Sequence, residues 1–329
     1  MQFTPSYIEL YEKGELKLRA EKAFEAYRNC NVCPHHCRVD RFTSELGTCL
    51  SGVDPVVSSY TLHFGEEPVI SGTKGAGNIF FGNCNLKCIF CQNYEISQNY
   101  KEEEKHIVSI EKLAGIMIEL QEKGAHNIGL VSPTHFVPSI LKSLLIAAEK
   151  GLKIPIIYNS NGYDSVEMLK LLDGVVDIYL PDIKYGRDEY GRKYSNGENY
   201  FTFAKEAVKE MYRQTGNILQ IEDGIARRGL IIRHLVLPND LSETGEVFKF
   251  ISEELGRDVH LSLMSQYYPV HRAFKEILLN RKLREREYEK ALELLDKYGL
   301  HKGWVQELDS FEHYRPDFTG NRENPFGNK

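Results

Sequence analysis

The stretch Ile79-Phe-Phe-Gly-Asn-Cys-Asn-Leu-Lys-Cys-Ile-Phe-Cys-Gln-Asn93 carries three cysteines, Cys84, Cys88 and Cys91, at the spacing C-x3-C-x2-C. The apolar run at its start, residues 79–81, is typical of a short buried strand. A loop with three thiolates can hold three irons of a [4Fe–4S] cube and leaves the fourth iron without a protein ligand. Electron-transfer clusters are commonly held by four cysteines. The spacing therefore predicts a cluster that binds a further molecule and takes part in a reaction.

Two structural alternatives apply to these cysteines, a zinc knuckle and a set of buried cysteines without a cofactor. Zinc sites usually show paired C-x2-C motifs, or one C-x2-C motif with histidines. A C-x3-C-x2-C spacing directly after a strand therefore favours the cluster.

A second cysteine group lies nearer the N-terminus, where Cys30, Cys33, Cys37 and Cys49 follow the spacing C-x2-C-x3-C-x11-C. Four thiolates can saturate one zinc ion or a second iron–sulfur cluster. A segment of this size has too little core to fold unaided, so we favour a structural metal, with an electron-relay cluster as the alternative. His35 and His36 can substitute for one ligand, but four cysteines already suffice, so we expect both to be exposed loop residues.

Composition narrows the classes of protein that remain. The chain has 329 residues, of which 42% are hydrophobic and 27% charged, so it can form one large α/β domain with an appendage. No run approaches the roughly 20 apolar residues of a membrane-spanning helix. The first residues show no signal-peptide pattern, so we expect a cytoplasmic protein without a membrane partner. All seven cysteines fall in the two groups, and disulfides are not expected in that compartment.

The distribution of charge argues against a nucleic-acid partner. The net charge is −6, and the one basic run, residues 281–286, continues into a segment rich in glutamate. Such a mixture is typical of a solvated helix face rather than of a nucleic-acid interface.

Beyond residue 76 apolar runs alternate with amphipathic segments. Strands are expected at residues 78–82, 126–131, 154–159, 176–183, 230–237 and 258–264. Helices are expected between them at residues 110–124, 137–151, 165–172, 201–215 and 242–256. Six such repeats predict a parallel sheet covered by helices, either open or curled into a partial barrel. The three-cysteine loop then lies at the carboxyl end of the first strand, where active sites gather in parallel α/β barrels.

Three parts of the chain follow from this pattern. Residues 1–75 are expected to form an N-terminal helix and the four-cysteine metal-binding segment. Residues 76–270 form the α/β core domain. Residues 271–329 form a C-terminal helical extension, with a helix from about Glu285 and a tail.

The cysteine spacing, together with Phe90 before the third cysteine, resembles the signature of the radical S-adenosylmethionine (SAM) superfamily. Within it the chain is similar to the branch of pyruvate formate-lyase-activating enzyme, including the Cys-x-x-Cys-Pro-x-x-Cys segment that begins at Cys30. The resemblance implies a partial (β/α)6 barrel in which the amino and carboxylate groups of SAM chelate the open iron. It also implies reductive cleavage of SAM to a 5′-deoxyadenosyl radical, with flavodoxin or ferredoxin as the reductant.

Polar residues at the ends of the next strands are candidates for SAM binding. The resemblance implies that Asn159 and Asn161 lie beside the methionine moiety, although an Asn-Gly turn explains them equally well. After the second strand the chain lacks the Gly-Gly-Glu motif of its relatives. Ser132, Thr134 or His135 can supply those hydrogen bonds instead, and a turn with a helix cap is the alternative.

The fourth strand carries Asp182 and Lys184, which alternate and so share one face. Burying such a pair is costly unless the two groups are paired or bind a ligand. The resemblance implies contact with SAM, and an external salt bridge is the alternative. On the fifth strand Arg233 and Leu235 lie on one face, and His234 and Val236 lie on the other. On the sixth strand His260, Ser262 and Gln266 lie on a common face. We expect either histidine to be a core residue more often than a functional one.

Three functions compete. The first is an activating enzyme that removes hydrogen from a glycine of a partner enzyme and leaves a glycyl radical. The second is a radical SAM enzyme acting on a small molecule or peptide, and the third is a non-catalytic iron–sulfur carrier or zinc scaffold. The first two use the same residues, so the motifs do not separate them.

Overall fold

In residues 3–308 and 316–327, which the computed structural model describes, the chain forms nine strands and twelve α-helices. The strands are β1 Val57–His63, β2 Ala76–Phe81, β3 Ile128–Val131, β4 Ile156–Asn159, β5 Ile178–Tyr179, β6 Gln220–Glu222, β7 Ile225–Leu235, β8 His260–Met264 and β9 Gly303–Val305. The helices are α1 Ser6–Glu12, α2 Glu15–Glu25, α3 Pro68–Ser71, α4 Tyr94–Ser97, α5 Tyr100–Glu103, α6 Ile110–Glu122, α7 Val137–Glu149, α8 Val166–Leu171, α9 Asp188–Ser195, α10 Tyr200–Thr215, α11 Thr244–Phe250 and α12 Glu285–Tyr298.

The strands form one curved sheet in the order β1-β2-β3-β4-β5-β7-β8-β9, with β6 paired to β7 at one end. Every neighbouring pair from β2 to β9 along this order is parallel, whereas β1 is antiparallel to β2. Six of the parallel strands correspond to the six predicted repeats, and β9 adds a seventh. The predicted partial α/β barrel is therefore confirmed.

The helices cover the outer face of the sheet because their apolar residues repeat at helical spacing. Ser109 caps α6 by accepting a hydrogen bond from the Lys112 amide at 3.2 Å, and Leu113, Met117 and Leu120 of α6 are fully buried. Burying each such side chain contributes about 1.5–3 kcal/mol to stability. These contacts fix the helix against the outer face of the sheet.

The N-terminal helices belong to the same hydrophobic core as the barrel. They are separated at Gly14, whose φ of +74° ends the first helix, and α2 packs against α7. Tyr7 and Leu16 are fully buried in the shared core, and the Tyr7 hydroxyl donates to the Ile154 carbonyl at 3.1 Å. Since β1 also pairs with β2, contacts cross the predicted boundary at residue 75, and the three-part division stays a prediction.

The connection between β1 and β2, residues 64–75, fills the amino end of the barrel. Its helix α3 places Ile70 against the inward-facing Ile157, Ile178 and Ile231. No helix or strand was expected within this connection. The structure shows that it is an internal plug, and the plug carries Glu66 and Glu67 beneath the cavity described below.

Several predicted elements differ in extent. The strand expected at 176–183 has regular pairing only at Ile178–Tyr179, because Pro181 has no amide hydrogen and pairing resumes as a single bridge between Asp182 and Arg233. The helix expected at 242–256 is α-helical only to Phe250 and ends in a π-helical turn, Ile251–Leu255. The hairpin β6–β7, helix α9 and strand β9 were not predicted.

Residues 316–327 lie beside β1 and β2. Phe318 is fully buried against Phe80, and the Phe326 ring lies 4.1 Å from that of His63. The predicted helix of the C-terminal extension is α12. Across the described parts of the chain, every helix is too short or too polar to cross a membrane.

Candidate active site

A cavity of about 180 Å³ opens at the carboxyl ends of the parallel strands. The cavity is lined by all three cysteines of the C-x3-C-x2-C loop and by every residue predicted to bind SAM except Thr134 and His135. The predicted residues in its wall are Cys84, Cys88, Cys91, Phe90, Ser132, Asn159, Asn161, Asp182 and Lys184. The structure thus brings these residues together, while their roles toward a cofactor stay predictions.

The cysteine loop, residues 82–93, is held from both sides. The amides of Lys87 and Ile89 donate to the carbonyls of Ser195 and Tyr194, at 2.8 and 2.9 Å. These two carbonyls lie at the end of α9, an element that sequence reasoning did not predict. At the start of the loop Asn83 adopts a left-handed conformation with φ of +62°, which turns the chain from β2 toward the cavity.

Each of the three sulfurs has its own hydrogen-bonding partner. Asn161 donates to Cys84 Sγ at 3.4 Å, Ser195 donates to Cys88 Sγ at 3.0 Å, and Ser97 Oγ lies 3.2 Å from Cys91 Sγ. Hydrogen bonds to sulfur are one of the means by which proteins tune cluster potentials. Ser97 and Ser195 carry no sequence signal, because nothing in their own segments indicates which sulfur they meet.

The buried thiols of the loop need a metal to be held as thiolates. Burial raises the pKa of the Cys88 thiol to about 12 and also raises that of Cys91, so a metal is needed to hold both as thiolates near neutral pH. The choice between a cluster and a zinc knuckle at these three cysteines stays a prediction.

A network of buried charges forms the wall opposite the cysteines. Asp182 pairs with Lys184, and Arg233 Nε donates to Asp182 Oδ1 at 2.9 Å. Arg233 also pairs with Glu66 of the plug at 3.1 Å. The Asp182 and Lys184 side chains are only 14% and 16% exposed, so the alternative of an external salt bridge is wrong.

The network keeps its members charged. Burial alone would raise the pKa of Asp182, but the Lys184 ammonium and the Arg233 guanidinium outweigh it and lower that pKa. Burial alone would lower the pKa of Lys184, and the Asp182 carboxylate outweighs it and raises that pKa. Sequence reasoning placed Arg233 on a strand face without a partner, since Glu66 lies 167 residues away.

The Asn159–Gly162 segment serves as both a turn and a cavity wall. Asn159 Oδ1 accepts from Arg233 at 3.2 Å, and Asn161 Nδ2 donates to Asn85 Oδ1 at 2.8 Å. Gly162 has a φ of +78°, and a Cβ there would lie 2.2 Å from the Asp182 carbonyl oxygen. Only glycine fits this position, so the turn is confirmed, while contact of Asn159 and Asn161 with SAM stays a prediction.

Of the candidate residues after β3, one lines the cavity and two make hydrogen bonds behind its wall. Ser132 lines the cavity with a left-handed φ of +58°. Thr134 instead donates to the buried Asp164 at 2.7 Å, and His135 Nε2 donates to the Gly82 carbonyl at 3.0 Å. Burial lowers the pKa of His135 to about 3, so it is neutral. Among the three residues, only Ser132 is placed to replace the missing acidic contact.

Of the other strand histidines, His234 is a core residue, as expected, whereas His260 is half-buried. His234 is fully buried, with Nδ1 donating to the Ile183 carbonyl at 2.7 Å and Nε2 accepting from Thr244 at 3.0 Å. His260 packs against Trp304 at a ring distance of 6.0 Å. Neither residue lines the cavity.

A larger side cavity of about 590 Å³ adjoins the first, in the gap between β1 and β9. The two cavities share Arg233, Met264 and Gln266 in their walls. Glu67 lines the side cavity, is only 9% exposed, and has no hydrogen-bond partner at Oε2. Burial raises the pKa of Glu67, although the Arg233 guanidinium opposes this. Sequence reasoning missed this carboxyl, which had no motif around it.

The four N-terminal cysteines lie outside both cavities. Cys30, Cys33 and Cys49 are buried and Cys37 is half-buried. Burial raises the pKa of Cys33 well above its ordinary value, which again indicates that a metal is needed to hold a thiolate. The identity of that metal, zinc or a second cluster, stays a prediction.

The two cysteine segments touch each other. His35 Nε2 donates to the Asn85 carbonyl at 2.7 Å, and its ring packs on Tyr163 at 5.2 Å. Asn83 Nδ2 donates to the Leu50 carbonyl at 3.2 Å. The prediction that His35 is an exposed loop residue is wrong, because it packs against the cluster loop; only His36 is exposed.

Comparison with known proteins is consistent with this geometry. A family model described as the radical SAM superfamily matches residues 78–251. The uncharacterized protein MJ0674 of Methanocaldococcus jannaschii is 38% identical over 299 residues, which cover 89% of this chain and 82% of that protein. The uncharacterized protein MJ0808 of the same organism is 25% identical over 272 residues, covering 76% and 73%.

Two solved structures are also similar. TYW1 with a lysine-pyruvate adduct bound has a TM-score of 0.42 at 14% identity, covering 70% of this chain and 77% of that one. HydG, a maturase of the [FeFe]-hydrogenase, has a TM-score of 0.46 at 13% identity, covering 93% and 67%.

Proposed function

The chain belongs to the radical SAM superfamily, and from this premise we propose that Cys84, Cys88 and Cys91 hold its [4Fe–4S] cluster while SAM binds in the adjoining cavity. One observation carries the assignment: three thiols, each with a separate hydrogen-bonding partner, line one wall of a cavity whose other wall is a buried charge network. When bound and reduced, the cluster supplies the electron that cleaves SAM to methionine and a 5′-deoxyadenosyl radical.

In this proposal the residues of the cavity bind and orient SAM and shield it from water. Lys184 and Arg233 present cationic groups suited to the SAM carboxylate, and Ser132 presents a hydroxyl suited to its amino group. Asp182 holds both cations in place through its two oxygens. The aromatic rings of Phe80 and Phe90 form part of the wall and exclude water.

For the substrate, we propose a glycine of a partner enzyme, from which hydrogen is removed to leave a glycyl radical. The support is the resemblance of the two cysteine segments to activating enzymes. The side cavity offers such a loop a path to the cluster cavity, since the two cavities share Arg233, Met264 and Gln266. A reduced flavodoxin or ferredoxin would supply the electron.

A small molecule or peptide is the second candidate substrate, and Glu67 favours it. Glu67 Oε2 is buried without a hydrogen-bond partner in the wall of the side cavity, and Arg233 already pairs with Asp182 and Glu66. A substrate with an amine or guanidinium group would supply the missing donor. Family membership speaks against the third alternative, a non-catalytic carrier.

SAM cleavage tests the assignment directly. Anaerobically reconstituted protein, with cluster occupancy confirmed, is incubated with SAM and dithionite, and 5′-deoxyadenosine and methionine are quantified by chromatography. Both products are expected in equal amounts. Absence of both would contradict the assignment.

A separate measurement distinguishes the two substrates. A candidate glycyl radical enzyme is added, and the electron paramagnetic resonance (EPR) spectrum is examined for the doublet of a glycyl radical. The doublet supports activation. SAM cleavage that is stimulated by a small amine, with no doublet, supports the second candidate.

A further inference from the structure

Residues 271–279, which follow β8, pack directly on the cysteine loop. The Ala273 amide donates to the Ile89 carbonyl at 2.9 Å, between Cys88 and Cys91. Arg272 Nη2 donates to the Lys87 carbonyl at 2.9 Å and to Gln98 Oε1 at 3.0 Å. The segment is therefore in direct contact with the backbone of the cysteine loop.

Three apolar side chains of this segment point into solvent. Phe274 is 64% exposed, Ile277 79% and Leu278 36%. Single exposed apolar residues are ordinary, but several within five positions, rimmed by charged groups, mark an interaction surface. Their neighbours Ala273 and Leu279 are buried in a group of packed side chains that also includes Cys84 and Cys88. The segment is therefore anchored to the protein core at both ends.

The same segment carries more positive than negative charge, in a chain that is acidic. Residues 271–278 contain two cations, Arg272 and Lys275, and one carboxylate, Glu276, whereas the whole chain has a net charge of −6. Arg272 and Lys275 flank the apolar side chains and are exposed. A partner with a negatively charged rim around an apolar centre fits this surface.

An aromatic pair links the surface to the cysteines. The Tyr94 ring, three residues after Cys91, stacks on His271 at 4.9 Å with an interplanar angle of 14°. Both rings are half-buried. They join the segment to the helix that begins at Tyr94, directly after the cysteine loop.

We propose that Arg272, Phe274, Lys275, Ile277 and Leu278 form a docking patch for a small acidic ferredoxin, which delivers the reducing electron. This inference rests on the proposed function. The ferredoxin loses one electron and the cluster gains it, and no bond is made or broken. Exposed Ile and Leu at the centre of the patch favour a protein partner over a nucleic acid, which is bound mainly through charged and polar groups.

The test compares two electron sources on the same reconstituted protein. The double variant Lys275→Glu, Ile277→Ser is measured against Lys153→Glu, Ile218→Ser, which alters equally exposed residues away from the patch. Binding of a purified acidic ferredoxin is measured by isothermal titration calorimetry, and SAM cleavage is driven either by reduced ferredoxin or by dithionite.

We expect the patch variant to weaken ferredoxin binding by about tenfold or more, and ferredoxin-driven cleavage in proportion, because a charge is reversed and an apolar anchor is lost. Dithionite-driven cleavage should be unchanged, as should every measurement on the control variant. Unchanged ferredoxin binding in the patch variant overturns the proposal. So does a patch that binds flavodoxin, RNA or a second copy of the chain in preference to ferredoxin. Loss of dithionite-driven cleavage in the wild type would contradict the proposed function instead.

Discussion

The two cysteine segments contrast in what surrounds them. The cluster loop directs three thiols toward open volume and gives each a separate hydrogen-bonding partner, whereas the N-terminal segment buries its four thiols away from both cavities. Four thiolates can close the coordination of a metal, while three on a cube leave one position open. The number of cysteines and the volume beside them agree with our proposal of a reactive site in the loop and with the prediction of a structural metal in the N-terminal segment. The contact of His35 with Asn85 lets the second support the first.

Removing one thiol from each segment is the most direct test of the different roles proposed for the two segments. Cys88→Ala should abolish SAM cleavage and remove the cluster, because its ligand is lost, while the circular dichroism spectrum stays that of the wild type. Activity is followed by 5′-deoxyadenosine formation and iron by colorimetric assay. Retained turnover in this variant would overturn the assignment of the cluster.

The counterpart, Cys33→Ala, should act on stability first. Loss of a structural metal belongs to the few changes that cost more than about 4 kcal/mol, so the free energy of unfolding in urea should fall by that order. The identity of this metal is measured separately, by mass spectrometry of a Cys84/Cys88/Cys91 triple alanine variant that keeps all four N-terminal cysteines. Zinc there supports a structural ion, and four irons without zinc would establish a second cluster.

The junction between the two segments should be sensitive to acid. His135 donates to Gly82 of the cluster loop, and its carbonyl accepts from Arg41 of the N-terminal segment at 2.7 Å. Its pKa is about 3 when folded, against 6.5 when free, so the unfolded state binds the proton first as the pH falls. The stability that neutral His135 contributes is complete above pH 6.5. It is lost by up to about 1.4 kcal/mol per pH unit from there to pH 3.

Urea unfolding at pH 7.5, 6.5 and 5.5 measures this loss. The variant His135→Gln should lose less stability than the wild type between pH 6.5 and 5.5, whatever its stability at pH 7.5. Equal slopes for the two proteins would contradict a neutral buried His135.

The smallest expected effect concerns the contact between the segments. His35→Phe keeps a ring on Tyr163 but removes the hydrogen bond to Asn85, which should cost about 1 kcal/mol of stability. If the contact positions the loop, the EPR signal of the reduced cluster should also shift, and His35→Gln should partly restore it. A loss of stability with an unchanged EPR signal would show that His35 contributes only to packing and does not position the loop.

Much of the site could be predicted because its parts are local. The cysteine spacing, the alternation of Asp182 and Lys184, and the six apolar runs are all readable within a few residues. The side of a strand that a residue faces follows from the two-residue repeat, which is why Arg233 lines the cavity and His234 does not.

Other residues could not be predicted, because their role depends on distant partners. Ser195 meets Cys88 across 107 positions, and Glu66 reaches Arg233 only because the plug enters the barrel. Glu67 is unremarkable in sequence, and its unpaired oxygen has meaning only inside a cavity.

The sequence by itself determined the cysteine chemistry and the repeating order of strands and helices, since both arise from spacing along the chain. The tertiary structure decided which sulfur meets which donor, what closes the barrel, and where a second cavity opens. Those features arise from contacts between segments far apart in sequence, which no local pattern records.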